Sequence, residues 1–244
     1  MTFERSPAPP AEAPITPTPP SAEGPTPIQI RLQILSTEHW SLLASRGLAW
    51  NESFTRASMF LSTLSGSLVA LGLIGGIDGF GDAFVIAALV VLPVDLFVGI
   101  GTWLRMGAAN YHDAVAIAGM NRIRAGYLEI APDLRPYFVM GVHDDAQGLG
   151  ITMAVPPGTA PIVHLIAGTP TLVMVLNAIL AGAIGALILV RFAGTGPIVT
   201  VIGGLIVAAL VLVGEFSSAR SKIRRAQTAL QPMFPTPPTD RPAS

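Results

Sequence analysis

The sequence predicts an all-α polytopic membrane protein, with four transmembrane helices and two long amphipathic cytosolic helices that flank the first hairpin. Apolar residues make up 51% of the 244 residues and charged residues only 12%, against roughly 25% charged in an ordinary soluble domain. The mean hydropathy is +0.60. The apolar residues are also concentrated in runs of about 20, which is the length that crosses a bilayer as a helix.

The composition argues against several classes of function. The chain has no cysteine, so disulfides, thiolate metal sites and cysteine nucleophiles are excluded. A net charge of −1 gives no reason to expect a nucleic-acid partner. The sequence contains no phosphate-binding loop, nucleophile elbow, zinc-protease motif or dinucleotide fingerprint. We therefore expect no catalytic residues, no metal and no cofactor, and a protein that is not an enzyme.

The chain divides into eight predicted segments. Two proline-rich tails, 1–26 and 232–244, are expected to be disordered. Between the tails we predict, in order, a cytosolic amphipathic helix (27–56), a transmembrane hairpin (57–104), a second cytosolic amphipathic helix (105–130), an irregular cytosolic loop (131–167), a second transmembrane hairpin (168–214) and a basic juxtamembrane helix (215–231).

The first cytosolic helix has a clear start signal. Thr26 can cap the helix, Pro27 suits the first helical position, and Gln29 suits the position where a capping box needs Glu or Gln. No Pro or Gly cluster separates this helix from the first span, so one helix is expected to continue into the other. The two cytosolic helices flank the first hairpin and should meet as an antiparallel pair.

The loop at 131–167 holds the only run of three consecutive histidine and acidic residues, His143-Asp144-Asp145. A metal site needs three or four rigidly held ligands, so we interpret this cluster as solvated loop. Phe138–Met140 could form a short strand or touch the membrane surface, and Pro156–Gly158 indicates a turn.

The second span carries an acid, Asp95, about 14 Å from its cytosolic end at 1.5 Å per residue. An acid at that depth must be protonated, hydrogen-bonded or in contact with water. Counting residues places Ser65, Ser67 and Asn177 at a similar depth, which predicts an intramembrane polar layer. The serine-rich face of the first span is expected to meet Asp95, and the fourth span to contribute no polar side chain. Pro93 predicts a kink that frees a backbone carbonyl one turn earlier.

Basic residues predict the threading of the chain. Near the ends of the predicted spans, nine Lys and Arg residues lie on one side of the membrane and only Arg191 lies on the other. Because basic residues are enriched on the cytoplasmic side, we expect a bacterial inner-membrane protein with both termini in the cytoplasm. Four of the nine form a cluster that could face anionic lipid at about 1 kcal/mol per charge, or act only as a stop signal. These four are Arg220, Lys222, Arg224 and Arg225.

Two functions remain open from the sequence. The first is a non-enzymatic scaffold, sensor or assembly subunit that acts through its cytosolic helices, since the sequence offers long amphipathic cytosolic helices and no catalytic set. The second is a small oligomeric ion channel or proton-coupled transporter that uses Asp95. The expected partner is the lipid bilayer. A second copy of the chain and a cytosolic protein are open as further partners.

Overall fold

A computed structural model describes residues 26–154, 168–229 and 231–237. These ranges consist of helices, short turns and irregular segments, and no strand occurs among them, so the all-α prediction is confirmed. Phe138–Met140 is irregular and does not form a strand. The predicted turn at Pro156–Gly158 lies outside the described residues, as does most of the predicted N-terminal tail. The elements are α1 (Pro27–Asp78), α2 (Asp82–Ile130), a 3₁₀ turn (Pro132–Tyr137), α3 (Ala146–Thr152), α4 (Thr169–Ala193) and α5 (Pro197–Ala229).

Four of the described helices, α1, α2, α4 and α5, are long and apolar enough to cross a membrane. Large apolar side chains point away from the protein along these helices. Phe97 of α2 is 77% exposed and Leu210 of α5 is 68% exposed. A contiguous apolar surface of this kind is unfavourable in water and suits contact with lipid.

Helix α1 joins the first predicted cytosolic helix to the first span without a break. Its start has the predicted capping box: Gln29 N donates to Thr26 Oγ1 at 3.3 Å, and Thr26 N donates to Gln29 Oε1 at 2.7 Å. The helix ends at Gly79, whose φ of +61° is the left-handed conformation that glycine adopts most easily. Its 52 residues make it about 78 Å long.

Helix α2 likewise joins the second span to the second predicted cytosolic helix. Its 49 residues continue through Pro93 and show no break near residue 105. The two predicted segments are therefore one element, because no Gly or Pro cluster interrupts the helical backbone between them. Helix α2 packs against both α1 and α4 and is the central element of the fold.

The two long helices pair antiparallel over the length of both predicted cytosolic segments. Near one end Arg31 forms an ion pair with Glu129 at 3.1 Å, and near the middle Arg105 contacts Glu52 at 2.8 Å. Between them, Arg46 and the Trp50 indole both donate to Asp113. The Arg105 pair helps to hold the pKa of the exposed Glu52 carboxyl at about 2.

The face of α1 that contacts the rest of the protein differs from the prediction. The serine-rich face of the first span, which was expected to meet Asp95 and which includes Ser58, Ser62 and Gly72, is instead mostly exposed. The buried face instead carries apolar side chains, including Phe60 at 0% and Leu64 at 7% exposed. Burial of such side chains is worth roughly 1.5–3 kcal/mol each, which outweighs the close packing that small residues allow.

Helices α4 and α5 form a second antiparallel pair at a glycine contact. A Cβ added to Gly182 would lie 2.8 Å from the carbonyl oxygen of Gly204, and a Cβ on Gly204 would lie 2.9 Å from that of Gly182. The small residues of the third and fourth spans therefore serve packing within one chain, as such residues commonly do between apolar helices.

Candidate functional site

The side chain of Asp95, on α2, faces α1 and contacts Ser67 there. Asp95 is 1% exposed, and Ser67 Oγ donates to its Oδ1 atom at 3.1 Å. The other carboxyl oxygen, Oδ2, is buried without a hydrogen-bond partner. The side chain therefore links two helices through one oxygen and leaves the second unsatisfied.

Asn177 of α4 lies against α2 one turn away from Asp95. Its Oδ1 atom would be only 2.0 Å from a Cβ added to Gly99, so glycine at position 99 makes room for the amide. Asn177 is 0% exposed, and its Nδ2 atom donates to Glu215 Oε1 of α5 at 2.9 Å. The second Glu215 oxygen, Oε2, is buried and unsatisfied.

Two parts of the predicted polar layer need correction. Ser65 is exposed on the outer face of α1, because α1 turns its Phe60 and Leu64 side towards α2. The fourth helix does contribute a polar side chain, since Glu215 is 9% exposed and bonded to Asn177. The predicted fourth span, which ends at Gly214, and the predicted juxtamembrane helix from residue 215 form one continuous helix, α5, which ends at Ala229. We call Ser67, Asp95, Asn177 and Glu215 the polar joint.

A second polar site lies at the far end of α2, where a buried asparagine fixes the following loop. Asn121 is 0% exposed. Its Nδ2 atom donates to the carbonyl of His143 at 2.7 Å, and its Oδ1 atom accepts from Thr152 Oγ1 at 2.8 Å and from Arg124 at 2.8 Å. Asn121 thus ties the residues at both ends of α3 to α2.

Helix α3 gives this loop its shape. Asp145 caps the helix by accepting from Gly148 N at 2.9 Å, as aspartate commonly does at a helix start. Gly141 allows a close approach, since a Cβ there would lie 2.3 Å from the carbonyl of Gly148. The result is that Asp144 and Asp145 are held side by side on a fixed backbone.

Asp144 binds the backbone of residues near the C-terminus. Its Oδ2 atom accepts from Met233 N at 2.8 Å, and its Oδ1 atom accepts from Phe234 N at 2.8 Å. Arg122 of α2 donates to the same carboxylate at 2.6 Å and to the carbonyl of Gln231 at 3.2 Å. The Asp144 side chain is 0% exposed. Hydrogen bonds to an ionised group are about twice as strong as neutral ones.

Asp145 binds the next part of the same segment. It accepts from Thr236 N at 2.8 Å and from the Thr236 hydroxyl at 3.0 Å. The ring of His143 lies 3.3 Å from the carbonyl of Phe234. We call Arg122, His143, Asp144 and Asp145 the clasp, and Gln231–Pro237 the C-terminal segment.

The bound segment changes the acidity of both aspartates. Burial acts to raise the pKa of Asp144, but the N–H groups of Met233 and Phe234 outweigh it and hold that pKa below its ordinary value. Burial also opposes ionisation of Asp145, and the N–H groups of Gly148 and Thr236 again lower the pKa overall. The clasp therefore favours ionised carboxylates when the segment is bound.

These contacts overturn two predictions. His143-Asp144-Asp145 is not a solvated loop, and residues 232–237 of the predicted disordered tail instead form contacts with the clasp. The reason is that the two carboxylates accept the few N–H groups that a proline-rich segment carries. The pairing joins residues about 90 positions apart, and no local pattern in the sequence indicates it.

The basic cluster of α5 lies partly against the protein itself. Lys222 Nζ is 5.1 Å from the centroid of the Trp103 ring of α2, a distance typical of a cation–π contact. Arg220, Lys222, Arg224 and Arg225 are all exposed. The cluster is thus placed at the surface beside Trp103.

The described residues contain no group of three or more histidine or acidic side chains placed to hold a metal ion. The chain matches no protein-family model, no curated protein and no solved structure. Its function is therefore inferred from its own sequence and geometry.

Proposed function

We propose that this chain is a non-enzymatic, multi-pass protein of the bacterial cytoplasmic membrane that serves as a scaffold, sensor or assembly subunit. Both termini lie in the cytoplasm. The nine-to-one distribution of basic residues and the four long apolar helices support this placement. The paired segments 27–56 and 105–130 then project into the cytoplasm as amphipathic helices, and the clasp lies at their far end.

The observation that carries the proposal is the clasp. It holds a proline-rich segment whose backbone N–H groups donate to Asp144 and Asp145. Recognition of a backbone by fixed polar groups is a common way to bind a peptide. The surface accordingly suits docking of a protein segment and offers no reactive group for catalysis. The expected partner is a cytosolic protein.

The test is crosslinking from the exposed face of α1 in the native membrane. A photo-reactive amino acid replaces Trp40, which is 66% exposed, or Ile77, which is 90% exposed at the opposite end of α1. The Trp40 probe should capture a cytosolic protein and the Ile77 probe should not. Capture of only lipid and further copies of the chain from Trp40 would remove the support for a cytosolic partner.

A second function is favoured by the polar joint. Two acids, Asp95 and Glu215, are buried with one unsatisfied oxygen each, and such groups in a membrane often belong to proton or ion pathways. Four spans leave little room for a path inside one chain, so this function requires an oligomer. Proton flux into proteoliposomes that Asp95→Asn abolishes would support it. Absence of flux at every pH, or a stable monomer in mild detergent, would rule it out.

A further inference from the structure

The C-terminal segment belongs to a sequence that occurs twice in the chain. Residues 232–239 read PMFPTPPT, and residues 14–21 read PITPTPPS. The four prolines and the threonine between them are identical, so five of the eight positions agree. Two of the other three pairs are conservative, with Ile in place of Met and Ser in place of Thr.

The repeat keeps every donor that the clasp uses. In the C-terminal copy the clasp binds the N–H groups of Met233, Phe234 and Thr236, and the Thr236 hydroxyl. The aligned residues in the N-terminal copy are Ile15, Thr16 and Thr18, and none of them is proline. Because proline has no N–H, this spacing of prolines is the property that a second ligand must share.

We propose that residues 14–21 are a second ligand of the clasp and exchange with the C-terminal copy. The proposal rests on the proposed use of the clasp as a docking surface, and it names the ligand: a segment with the pattern Pro-x-x-Pro-Thr-Pro-Pro. Thr18 would place its N–H and hydroxyl on Asp145, as Thr236 does.

The N-terminal copy can reach the clasp of its own chain. Arg31 contacts Glu129 at 3.1 Å, and Glu129 lines the same cavity as Phe234. The start of α1 at Thr26 is five residues before Arg31, or about 8 Å along the axis. Thr18 is eight residues before Thr26, and eight extended residues span up to about 28 Å. This tether is long enough for binding within one chain.

The two copies differ at one contact. Phe234 lines the cavity beside α2 together with Leu128, whereas the aligned residue in the N-terminal copy is Thr16. Loss of this partly buried ring should weaken binding roughly tenfold. The C-terminal copy therefore fills the clasp in the intact chain, and the N-terminal copy enters when the C-terminal copy leaves.

Disulfide trapping in the full chain tests the proposal. Because the chain has no native cysteine, a disulfide can form only between the introduced cysteines. Leu128→Cys is combined with Phe234→Cys to trap the C-terminal copy, or with Thr16→Cys to trap the N-terminal copy. In the second variant, Thr236→Pro removes one N–H and one hydroxyl from the competing copy. We expect Thr236→Pro to raise crosslinking of Thr16→Cys about tenfold, and Thr236→Ser to leave it unchanged.

A matched control separates binding from random collision. Ala8→Cys lies in the same tail but outside the repeat, and it should crosslink to Leu128→Cys weakly and without response to Thr236→Pro. Equal crosslinking from positions 8 and 16, or crosslinks only between two chains, would overturn the proposal. If the Phe234→Cys pair forms while the Thr16→Cys pair does not, only this inference fails. If both pairs fail, the clasp and the proposed docking function fail with it.

Discussion

The clasp and the polar joint both contain two carboxyl groups, but they differ in how many of the carboxyl oxygens accept hydrogen bonds. In the clasp, all four oxygens of Asp144 and Asp145 accept hydrogen bonds. In the polar joint, Asp95 and Glu215 each have one bonded oxygen and one that is buried and unsatisfied. Fully satisfied carboxylates hold a segment firmly, whereas half-satisfied ones contribute less to stability.

The largest expected effect is that of Asp144→Ala. The change removes three charge-assisted hydrogen bonds and leaves Arg122 without its carboxylate, so binding of the C-terminal segment should weaken by about 3–5 kcal/mol. Hydrogen-exchange protection of the Phe234 and Thr236 amides in nanodiscs should fall at least about 100-fold. Asp133→Asn, at an exposed acid in the same loop, should leave the protection unchanged. Similar losses in both variants would contradict a specific role for Asp144.

Acid should release the same segment. The pKa of both Asp144 and Asp145 lies below its ordinary value in the bound state, and N–H groups of the segment contribute to this lowering at both carboxylates. Binding of the segment should therefore be strongest above the ordinary aspartate pKa of about 4 and be lost as the pH falls through the lowered values. Protection factors for the 233–236 amides should therefore be constant from pH 7 to about 5 and decline below about 4. Amides in the middle of α1 serve as the reference. A decline centred near pH 6 would contradict the assignment of the release to the two aspartates.

The polar joint should respond to Gly99→Ala. The new methyl group would lie 2.0 Å from Asn177 Oδ1 and 2.9 Å from the Phe60 ring, and overpacking of this kind costs about 1–3 kcal/mol. Gly101→Ala is the matched control on the same helix, since a Cβ there meets nothing within 4 Å. Thermal unfolding in mild detergent should separate the two variants. Equal stability of the two variants would show that α2 and α4 are farther apart at Gly99 than in the structure.

The smallest expected effect is that of Ser67→Ala. Removal of the hydrogen bond to Asp95 should cost about 0.5–1.5 kcal/mol of unfolding free energy, because hydrogen bonds between membrane helices are weak on average. Ser65→Ala, at an exposed position two residues away, should cost nothing measurable. A loss of several kcal/mol for Ser67→Ala would mean that the joint is as firmly bonded as the clasp.

The sequence predicts the joint better than the clasp for a physical reason. Depth along a helix of fixed rise can be counted, and it correctly brings Ser67 level with Asp95. The rotation of a helix about its own axis is harder to derive from the sequence than depth, and Ser65 is therefore predicted on the wrong face of α1. Glu215 is absent from the predicted layer because the first charge after an apolar run marks the predicted end of the span. Its contact with Asn177 depends on how α4 and α5 pack, which the sequence does not give.

The clasp could not be predicted, because it forms between two segments with little apolar periodicity. The loop and the C-terminal segment are linked by backbone N–H groups, which every residue except proline carries. Only the spacing of prolines around Thr236, repeated around Thr18, carries information about the contact, and its meaning becomes visible once the bound segment is known. Membrane placement and helix pairing, by contrast, follow from hydrophobicity and charge.

The unbroken length of α1 makes the helix a lever. About 40 residues, or roughly 60 Å, separate Ser67 in the joint from Pro27 at the tip. No glycine-rich or proline-containing hinge interrupts this arm after Pro27. A tilt of about 5° at the joint would displace the tip by about 5 Å, given that rise per residue. A small rearrangement around Asp95 would thus be magnified into a displacement as large as a residue at the Pro27 end of α1.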